Sequence, residues 1–307
     1  MKYLFGPINS RRLGLSLGID LMPHKTCSLD CVYCECGKTK FLTDVISEYV
    51  PTNAVIDELD NFLSASPKLH SLTFSGSGEP TLHSGIGEII SHLKTRYPEY
   101  KVTVLTNGTM LWHEDVRNSL FKADCVIPSL DAVSDDVFFK LLRPVAGITP
   151  WLLCDGILKF AHEYKGAFFI EVFILPGLND NKSELEKIKD ICVKAAPAAV
   201  QLNSLDRPGS EKWVRGLSMD KLLEIKNFFS PLNVTISSRK SIDDIGGHAF
   251  SVLKETIARR PCTALELAAY TGVGIDFVKK ELADMVSTGT VRVEKTGNEE
   301  FFSLNHS

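Results

Sequence analysis

Three cysteines crowded into eight residues, Cys27-Ser28-Leu29-Asp30-Cys31-Val32-Tyr33-Cys34, constrain this chain more than any other feature. A strand or a regular helix face does not present three thiols at this C-x3-C-x2-C spacing, so the segment is predicted to be a loop around one metal centre. Thiolate ligands select zinc or iron–sulfur clusters. Because an ordinary [4Fe–4S] cluster takes one cysteine per iron, three cysteines would leave one iron open. Cys36 follows closely and allows a four-cysteine zinc or closed-cluster site instead, although one residue between Cys34 and Cys36 makes that geometry awkward.

Length and composition predict a protein of the reducing cytoplasm. The chain has 307 residues, of which 44% are hydrophobic, enough for one large domain or for a domain with a small appendage. It has no apolar run of about 18 residues and no leader-like start, so we expect neither a membrane span nor secretion. Disulfides are not expected in that setting. The net charge of −4 gives no general attraction to nucleic acid or anionic membrane, although a local basic patch would suffice for RNA.

Apolar runs and helical patterns alternate along the first two thirds of the chain, after a predicted turn at residues 6–12. Six strands alternating with helices predict parallel βα units, and therefore an α/β fold. When parallel βα units form a barrel, the functional residues lie at the carboxyl ends of the strands. The predicted strands are 13–21, 69–74, 101–105, 125–130, 168–175 and 199–202, and the predicted helices are 49–63, 86–96, 113–121, 135–142, 151–164 and 182–195.

The end of the chain has a different pattern. A helix at 219–229 and a strand at 234–236 complete a first domain at 1–240, and a Gly-containing linker follows at 241–248. The pattern predicts a small winged-helix domain at 249–307, made of three helices followed by a hairpin. The predicted helices are 250–260, 264–270 and 275–287, and the strands of the hairpin are 291–294 and 301–304. The second helix opens with the capping-box pattern Thr263 to Glu266. From residue 248 onward the chain has seven Lys and Arg and eight Asp and Glu, so DNA binding is not expected. We expect this domain instead to dock a protein, a peptide or RNA, or to form a dimer.

Polar residues follow the predicted strands. Gly76-Ser77-Gly78-Glu79 ends the second strand, where glycine lets a ligand approach the backbone, although a plain turn is an alternative. Glu171 lies inside an apolar strand, where a carboxylate is costly unless it is paired or faces a site, so we expect it to be functional. The other strand-end candidates are Thr106 and Asn107, which are also a turn signal, then Ser129 and Asp131, and finally Gln201 and Asn203, which equally fit polar residues of a barrel interior. Arg143, before Pro144, is a further candidate that also fits a solvated Arg at a helix end.

The cysteine array and the glycine turn together resemble the radical S-adenosylmethionine (SAM) superfamily over roughly residues 1–210. The nearest subgroup is the Fe–S oxidoreductases related to the tRNA wyosine synthases, matched at 10–14, 27–34, 74–81 and 201–208. The resemblance implies a partial (β/α)6 TIM-like barrel with its cluster loop at 24–38. It also implies a [4Fe–4S] cluster held by Cys27, Cys31 and Cys34, with SAM on the open iron. Reduction by a flavodoxin or ferredoxin would cleave SAM to a 5′-deoxyadenosyl radical, which abstracts hydrogen from an RNA, a peptide or a metabolite.

The resemblance also assigns SAM contacts. Tyr33 is in the position of an aromatic ring near the adenine, and Gly76, Ser77, Gly78 and Glu79 hold the SAM amino group. The remaining contacts that it implies are Thr106 and Asn107 at the third strand end, Ser129 and Asp131 at the fourth, Arg143 toward the methionyl carboxylate, and Gln201 and Asn203 toward the adenosine and substrate.

The chain also departs from the wyosine synthases. It has no cysteine before Cys27 to hold their second cluster, and Cys125, Cys154, Cys192 and Cys262 are scattered, so no auxiliary cluster is expected. A function of another class stays open: a winged-helix regulator whose iron–sulfur domain senses redox state or SAM. The polar residues at the strand ends favour the enzyme, because a sensor needs no barrel mouth.

Overall fold

The computed structural model describes residues 1–10, 13–23, 25–236, 256–271 and 274–305. The predicted linker at 241–248 and most of the predicted helix at 250–260 lie outside the described residues, as do Arg11 and Arg12. In the described parts of the chain, no helix is both long enough and apolar enough to cross a membrane.

One sheet organises the described residues, and its strand order is β1-β2-β5-β6-β7-β8-β9-β10. All neighbours from β2 to β10 are parallel, which confirms the predicted α/β class. The strands are β1 (Leu4–Ser10), β2 (Gly14–Ile19), β3 (Thr26–Cys27), β4 (Phe41–Leu42), β5 (Ser71–Phe74), β6 (Lys101–Thr106), β7 (Cys125–Pro128), β8 (Ala167–Ile174), β9 (Ala199–Ser204), β10 (Val234–Ile236), β11 (Val291–Thr296) and β12 (Glu299–Leu304).

The helices lie between the strands, as the alternation predicts. The helix at Ile86–Arg96, for example, buries Ile86, Ile89, Ile90 and Leu93 in the main core, and these residues recur at helical spacing. The helices are α1 (Thr52–Leu63), α2 (Ile86–Arg96), α3 (Glu114–Leu120), α4 (Asp135–Leu142), α5 (Pro150–Glu163), α6 (Lys182–Ala195), α7 (Met219–Phe228), α8 (Ala264–Thr271) and α9 (Ile275–Ser287), with a 3-10 turn at Pro80–Leu82.

The predicted turn at residues 6–12 is wrong. These residues belong largely to β1, which pairs antiparallel with β2 at the edge of the sheet. The Gly6-Pro7 pair, which signals a turn in the sequence, lies at a shift of register between Phe5 and Ile8. Pro is tolerated in a strand at an edge or a bulge, so the pairing with β2 outweighs the local signal.

The C-terminal elements α8, α9 and the β11–β12 hairpin surround a small core of their own, which includes Leu267, Leu282 and Phe302. The predicted capping box is confirmed: Thr263 N donates to Glu266 Oε2 (2.9 Å), and Glu266 N donates to Thr263 Oγ1 (3.2 Å). We call these elements, residues 256–305, the C-terminal module. Its identification as a winged helix stays a prediction. The module packs on β1, with Ile8 against its core.

Candidate active site at the carboxyl edge of the sheet

The cysteine loop begins at the end of β3 and presents Cys27, Cys31 and Cys34 as partly buried free thiols. Burial raises the pKa of Cys31 well above its ordinary value, and the neighbouring sulfurs of Cys34 and Cys27 raise it further. The three predicted thiols therefore lie on one loop, near enough to one another to interact electrostatically.

Cys34 differs from the other two cysteines in its charge. A hydrogen bond from the Cys36 thiol and the nearby Lys25 ammonium lower the pKa of Cys34 to about 5, against the effect of burial. Lys25, itself 3% exposed, places its Nζ 3.0 Å from Cys34 Sγ. The thiolate is the form of cysteine that binds metal. The Cys36 Sγ lies 3.4 Å from the Gly76 carbonyl oxygen, to which its thiol donates.

The donor set fits an iron–sulfur cluster. Among the described residues, no group of three or more His, Cys, Asp and Glu side chains is arranged to hold a metal ion. A [4Fe–4S] cluster makes a different demand, because each cysteine binds its own iron. Cys27, Cys31 and Cys34 are the soft ligands that such a cluster takes, and they lie on one loop with the buried Lys25 ammonium beside Cys34.

The glycine turn after β5 packs directly on the cysteine loop. Gly76 has φ +141°, in the region that favours glycine, and a Cβ there would lie 2.4 Å from Asp20 Cγ. Ser77 donates from its backbone N (3.1 Å) and its hydroxyl (2.7 Å) to Asp20 Oδ2. A Cβ on Gly78 would lie 2.0 Å from the Thr26 carbonyl oxygen, so only glycine fits.

Glu79 joins the ends of β5 and β6. It is 2% exposed; its Oε1 accepts from the Thr81 and Thr106 hydroxyls (both 2.6 Å), and its Oε2 from the Asn107 backbone N (2.7 Å). Burial raises the pKa of Glu79, and these hydrogen bonds oppose the rise. Asn107 also places its amide nitrogen 3.4 Å from Cys27 Sγ. The predicted residues at these two strand ends are therefore in contact with one another and with the cluster loop.

Tyr33 and Asp131 meet at the end of β7. The Tyr33 ring stacks on Phe173, with centroids 4.1 Å apart, and its hydroxyl donates to Asp131. Asp131 also accepts a hydrogen bond from Phe173 N (2.7 Å) and is 1% exposed. Burial raises the pKa of Asp131 to about 7, with a further rise from Glu171 and with the two hydrogen bonds opposing it.

This carboxyl predicts a pH dependence of stability. An unfolded Asp loses its proton near pH 4, whereas folded Asp131 holds it until about pH 7. The folded state binds more protons in that window, so the contribution of Asp131 to stability falls as pH rises through it. We expect the difference in unfolding free energy between wild type and Asp131→Asn to fall from pH 5 to 7, by at most about 1.4 kcal/mol per pH unit, and to level off above pH 8. Urea unfolding at each pH measures it; a difference constant from pH 5 to 8 would contradict the raised pKa.

The predicted polar residues of the later strands also lie together. Asn203 donates from Nδ2 to Glu171 Oε1 (3.0 Å), and Gln201 is the register partner of Glu171 in the neighbouring strand. Ser129 bridges to Glu171 from the other side. Glu171 is partly buried, while Gln201 and Asn203 are each 9% exposed. The carboxylate in the apolar strand is thus paired, and it lies at the same edge of the sheet as Asp131.

A model of the radical SAM superfamily matches residues 21–191, more than half of the chain. The chain belongs to the radical SAM superfamily. A UPF0026 protein of Helicobacter pylori (strain J99) is 32% identical over 303 residues, 97% of this chain and 96% of that protein. A protein named GTPase Obg, from Brachyspira hyodysenteriae, is 34% identical over 95% of this chain, which spans 44% of its length.

The fold of this radical SAM enzyme is the partial barrel that the sequence predicts. Streptococcus suis SuiB, solved with its precursor peptide SuiA, has a TM-score of 0.55 at 15% identity over 78% of this chain and 51% of its own. That likeness concerns the fold alone. Enzymes of the superfamily bind a [4Fe–4S] cluster and SAM, and they need a reductant and a substrate.

Arg143 lies at the rim of this radical SAM site. It caps α4 in a left-handed conformation, and its guanidinium binds Glu211 (2.6 Å) and lies 3.9 Å from Asp30. The ion pair lowers the pKa of Glu211. The predicted contact of Arg143 with the SAM carboxylate remains a prediction, because Glu211 takes the guanidinium in this structure.

Sequence reasoning missed residues that hold the radical SAM loops together. Asp20, at the end of β2, anchors the glycine turn, and Lys25 faces Cys34. Ser28 is fully buried and accepts a hydrogen bond from Asn107 Nδ2 (2.9 Å). The available signal was weak: Lys25 and Ser28 flank Cys27, and Asp20 follows a predicted strand, as the other candidates do.

Proposed function

We propose that Cys27, Cys31 and Cys34 hold a [4Fe–4S] cluster whose open iron takes SAM, and that the enzyme abstracts a hydrogen atom from a substrate at the carboxyl edge of the sheet. When bound, this cluster supplies the electron that cleaves SAM to methionine and a 5′-deoxyadenosyl radical. The observation that carries the proposal is the packing of the cysteine loop against the Gly76–Glu79 turn, through Gly78 and the Thr26 carbonyl.

The residues at the strand ends beside the cysteine loop would bind and orient SAM. Gly76, Ser77, Gly78 and Glu79 would receive the amino group, since the buried Glu79 carboxylate is held in place by its donors. Tyr33 would lie beside the adenine. The other SAM contacts that we propose are Thr106, Asn107, Ser129, Asp131, Arg143, Gln201 and Asn203.

Glu171 is the residue that we propose to contact the substrate. Its carboxylate is fixed by Asn203 at 3.0 Å, so it can orient a donor group of the substrate or accept a proton from it. Its neighbours Asp131 and Gln201 would line the same wall.

For the partners, we propose a flavodoxin or ferredoxin as the reductant and an RNA, a peptide or a small metabolite as the substrate. DNA and membranes are not proposed, because the charge pattern favours neither. Thiolate ligands must stay reduced, which supports a cytoplasmic location. A regulator that senses redox state would have no use for Glu171 and Asn203 at the strand ends, and they support the enzyme.

The test is anaerobic. The protein is reconstituted with iron and sulfide, SAM and dithionite are added, and 5′-deoxyadenosine is quantified with and without bulk tRNA. We expect 5′-deoxyadenosine from the wild type and background levels from Cys27→Ala. Stimulation by tRNA would make RNA the substrate class, and its absence would direct the search to peptides and metabolites. A fully loaded protein that makes none would overturn the radical chemistry in favour of the regulator.

A further inference from the structure

Arg207 connects the cysteine loop to the C-terminal module. It is 2% exposed, its Nη1 lies 3.3 Å from Glu35 Oε2, and its Nη2 donates to Glu266. Glu35 lies between Cys34 and Cys36, whereas Glu266 belongs to α8. One buried guanidinium therefore binds a carboxylate from the cluster loop and another from the far end of the chain.

The segment that carries Arg207 packs on the cysteine loop along its length. Ser210 Oγ donates to the Cys31 carbonyl (2.8 Å), and Glu211 N donates to the Val32 carbonyl (3.1 Å). A Cβ on Gly209 would lie 3.1 Å from the Tyr33 Cα. A shift of Arg207 would therefore displace the backbone between the proposed cluster ligands Cys31 and Cys34.

A second arginine makes a parallel connection to the glycine turn. Arg259 Nε lies 3.4 Å from Asp20 Oδ2, the oxygen that accepts from Ser77 N and Ser77 Oγ. Its guanidinium also lies over the Phe5 ring, 4.9 Å from the centroid. The Arg259 and Asp20 side chains are 14% and 6% exposed, so this ion pair is shielded from water.

We propose that the C-terminal module is a component of the SAM site, in which Arg207 and Arg259 are positioning residues for the cysteine loop and the glycine turn. This rests on the proposed function. Ion pairs out of water bind strongly only while both partners are present, because removing one leaves an uncompensated buried charge. Arg207 links Glu266 of the module to Glu35 of the cysteine loop, and Arg259 of the module binds Asp20, which holds Ser77 of the glycine turn. The module thus fixes the position of the cysteine loop relative to the glycine turn, so that both can contact SAM.

Glu266→Gln separates this role from the folding of the module. Its carbonyl oxygen can still accept from Thr263 N, so the capping box survives while the charge facing Arg207 is lost. We expect Glu266→Gln to load iron like the wild type and to weaken SAM binding about tenfold, read as the SAM concentration that shifts the EPR spectrum of the reduced cluster. Arg259→Gln should weaken SAM binding similarly. The matched control is Glu294→Gln, which removes a charge from the same module at a site paired only with Arg292 in the contacts described, and it should leave SAM binding unchanged.

A double-mutant cycle distinguishes positioning from a general loss of stability. If Arg207 transmits the effect, Glu35→Gln and Glu266→Gln should be non-additive, with the double variant binding SAM about as well as the weaker single variant. Additive losses that follow the fall in thermal midpoint would overturn the proposal, as would wild-type SAM affinity in both Glu266→Gln and Arg259→Gln. If SAM did not change the EPR spectrum of the reduced cluster in the wild-type protein, the proposed function itself would be refuted.

Discussion

A Cys34→Ala variant is expected to hold no cluster and to make no 5′-deoxyadenosine, whereas Cys36→Ala keeps both. Cys34 is the third cysteine of the array, and the buried Lys25 ammonium 3.0 Å from its Sγ stabilises the thiolate that iron needs. The Cys36 thiol lies 3.4 Å from the Gly76 carbonyl oxygen and donates a hydrogen bond to the glycine turn, so it is not free to act as a ligand. Iron and sulfide analysis after anaerobic reconstitution should give about four irons per wild-type chain and almost none for Cys34→Ala.

The control for loss of a thiol as such is Cys125→Ala, a partly buried cysteine at the start of β7, far along the chain from the loop. It should retain the wild-type iron content. Equal loss of iron from Cys34→Ala and Cys36→Ala would show that Cys36 is a ligand. The three-cysteine assignment would then be wrong, and a closed four-cysteine site would replace it.

Most of the barrel could be predicted because each element carries its own local pattern. The helices Ile86–Arg96, Asp135–Leu142 and Lys182–Ala195 end where their apolar spacing ends, and the structure reproduces those bounds. The strand β1 could not be predicted in this way. Gly6 and Pro7 interrupt the alternation that identifies a strand, and only the antiparallel pairing with β2 makes the strand evident.

The residues of the site also fall into a group that the sequence could predict and a group that it could not. Cys27, Cys31, Cys34 and the Gly76–Glu79 turn lie in two short contiguous stretches, and contiguity makes a motif visible. The contacts that tie those stretches together are distant in sequence: Arg207 and Glu266 are 59 residues apart, and Arg259 and Asp20 are 239 apart. No spacing rule relates such residues, because only the fold brings them together.

Gly78→Ala should prevent the glycine turn from docking on the cysteine loop and so abolish SAM binding. The added methyl would lie 2.0 Å from the Thr26 carbonyl oxygen, and a backbone atom cannot move aside as a side chain can. The same carbonyl accepts from Glu79 N (3.1 Å), and Ser77 O accepts from Lys25 N (3.1 Å), so the clash falls between two hydrogen bonds that join the loops. We expect a loss of about 3 kcal/mol in the free energy of unfolding, measured by urea denaturation. The EPR spectrum of any cluster that remains should no longer respond to SAM.

Gly274→Ala is the matched control for Gly78→Ala. A Cβ there meets nothing within 4 Å, and the backbone has an ordinary φ of −56° ahead of α9. Its stability should change by no more than about 1 kcal/mol, with SAM binding intact. If Gly78→Ala matched this control in both measurements, the turn and the cysteine loop would be free to separate without loss of the site. Since Glu79, the proposed ligand of the SAM amino group, is placed by that same contact, such a result would also remove the structural basis for its role.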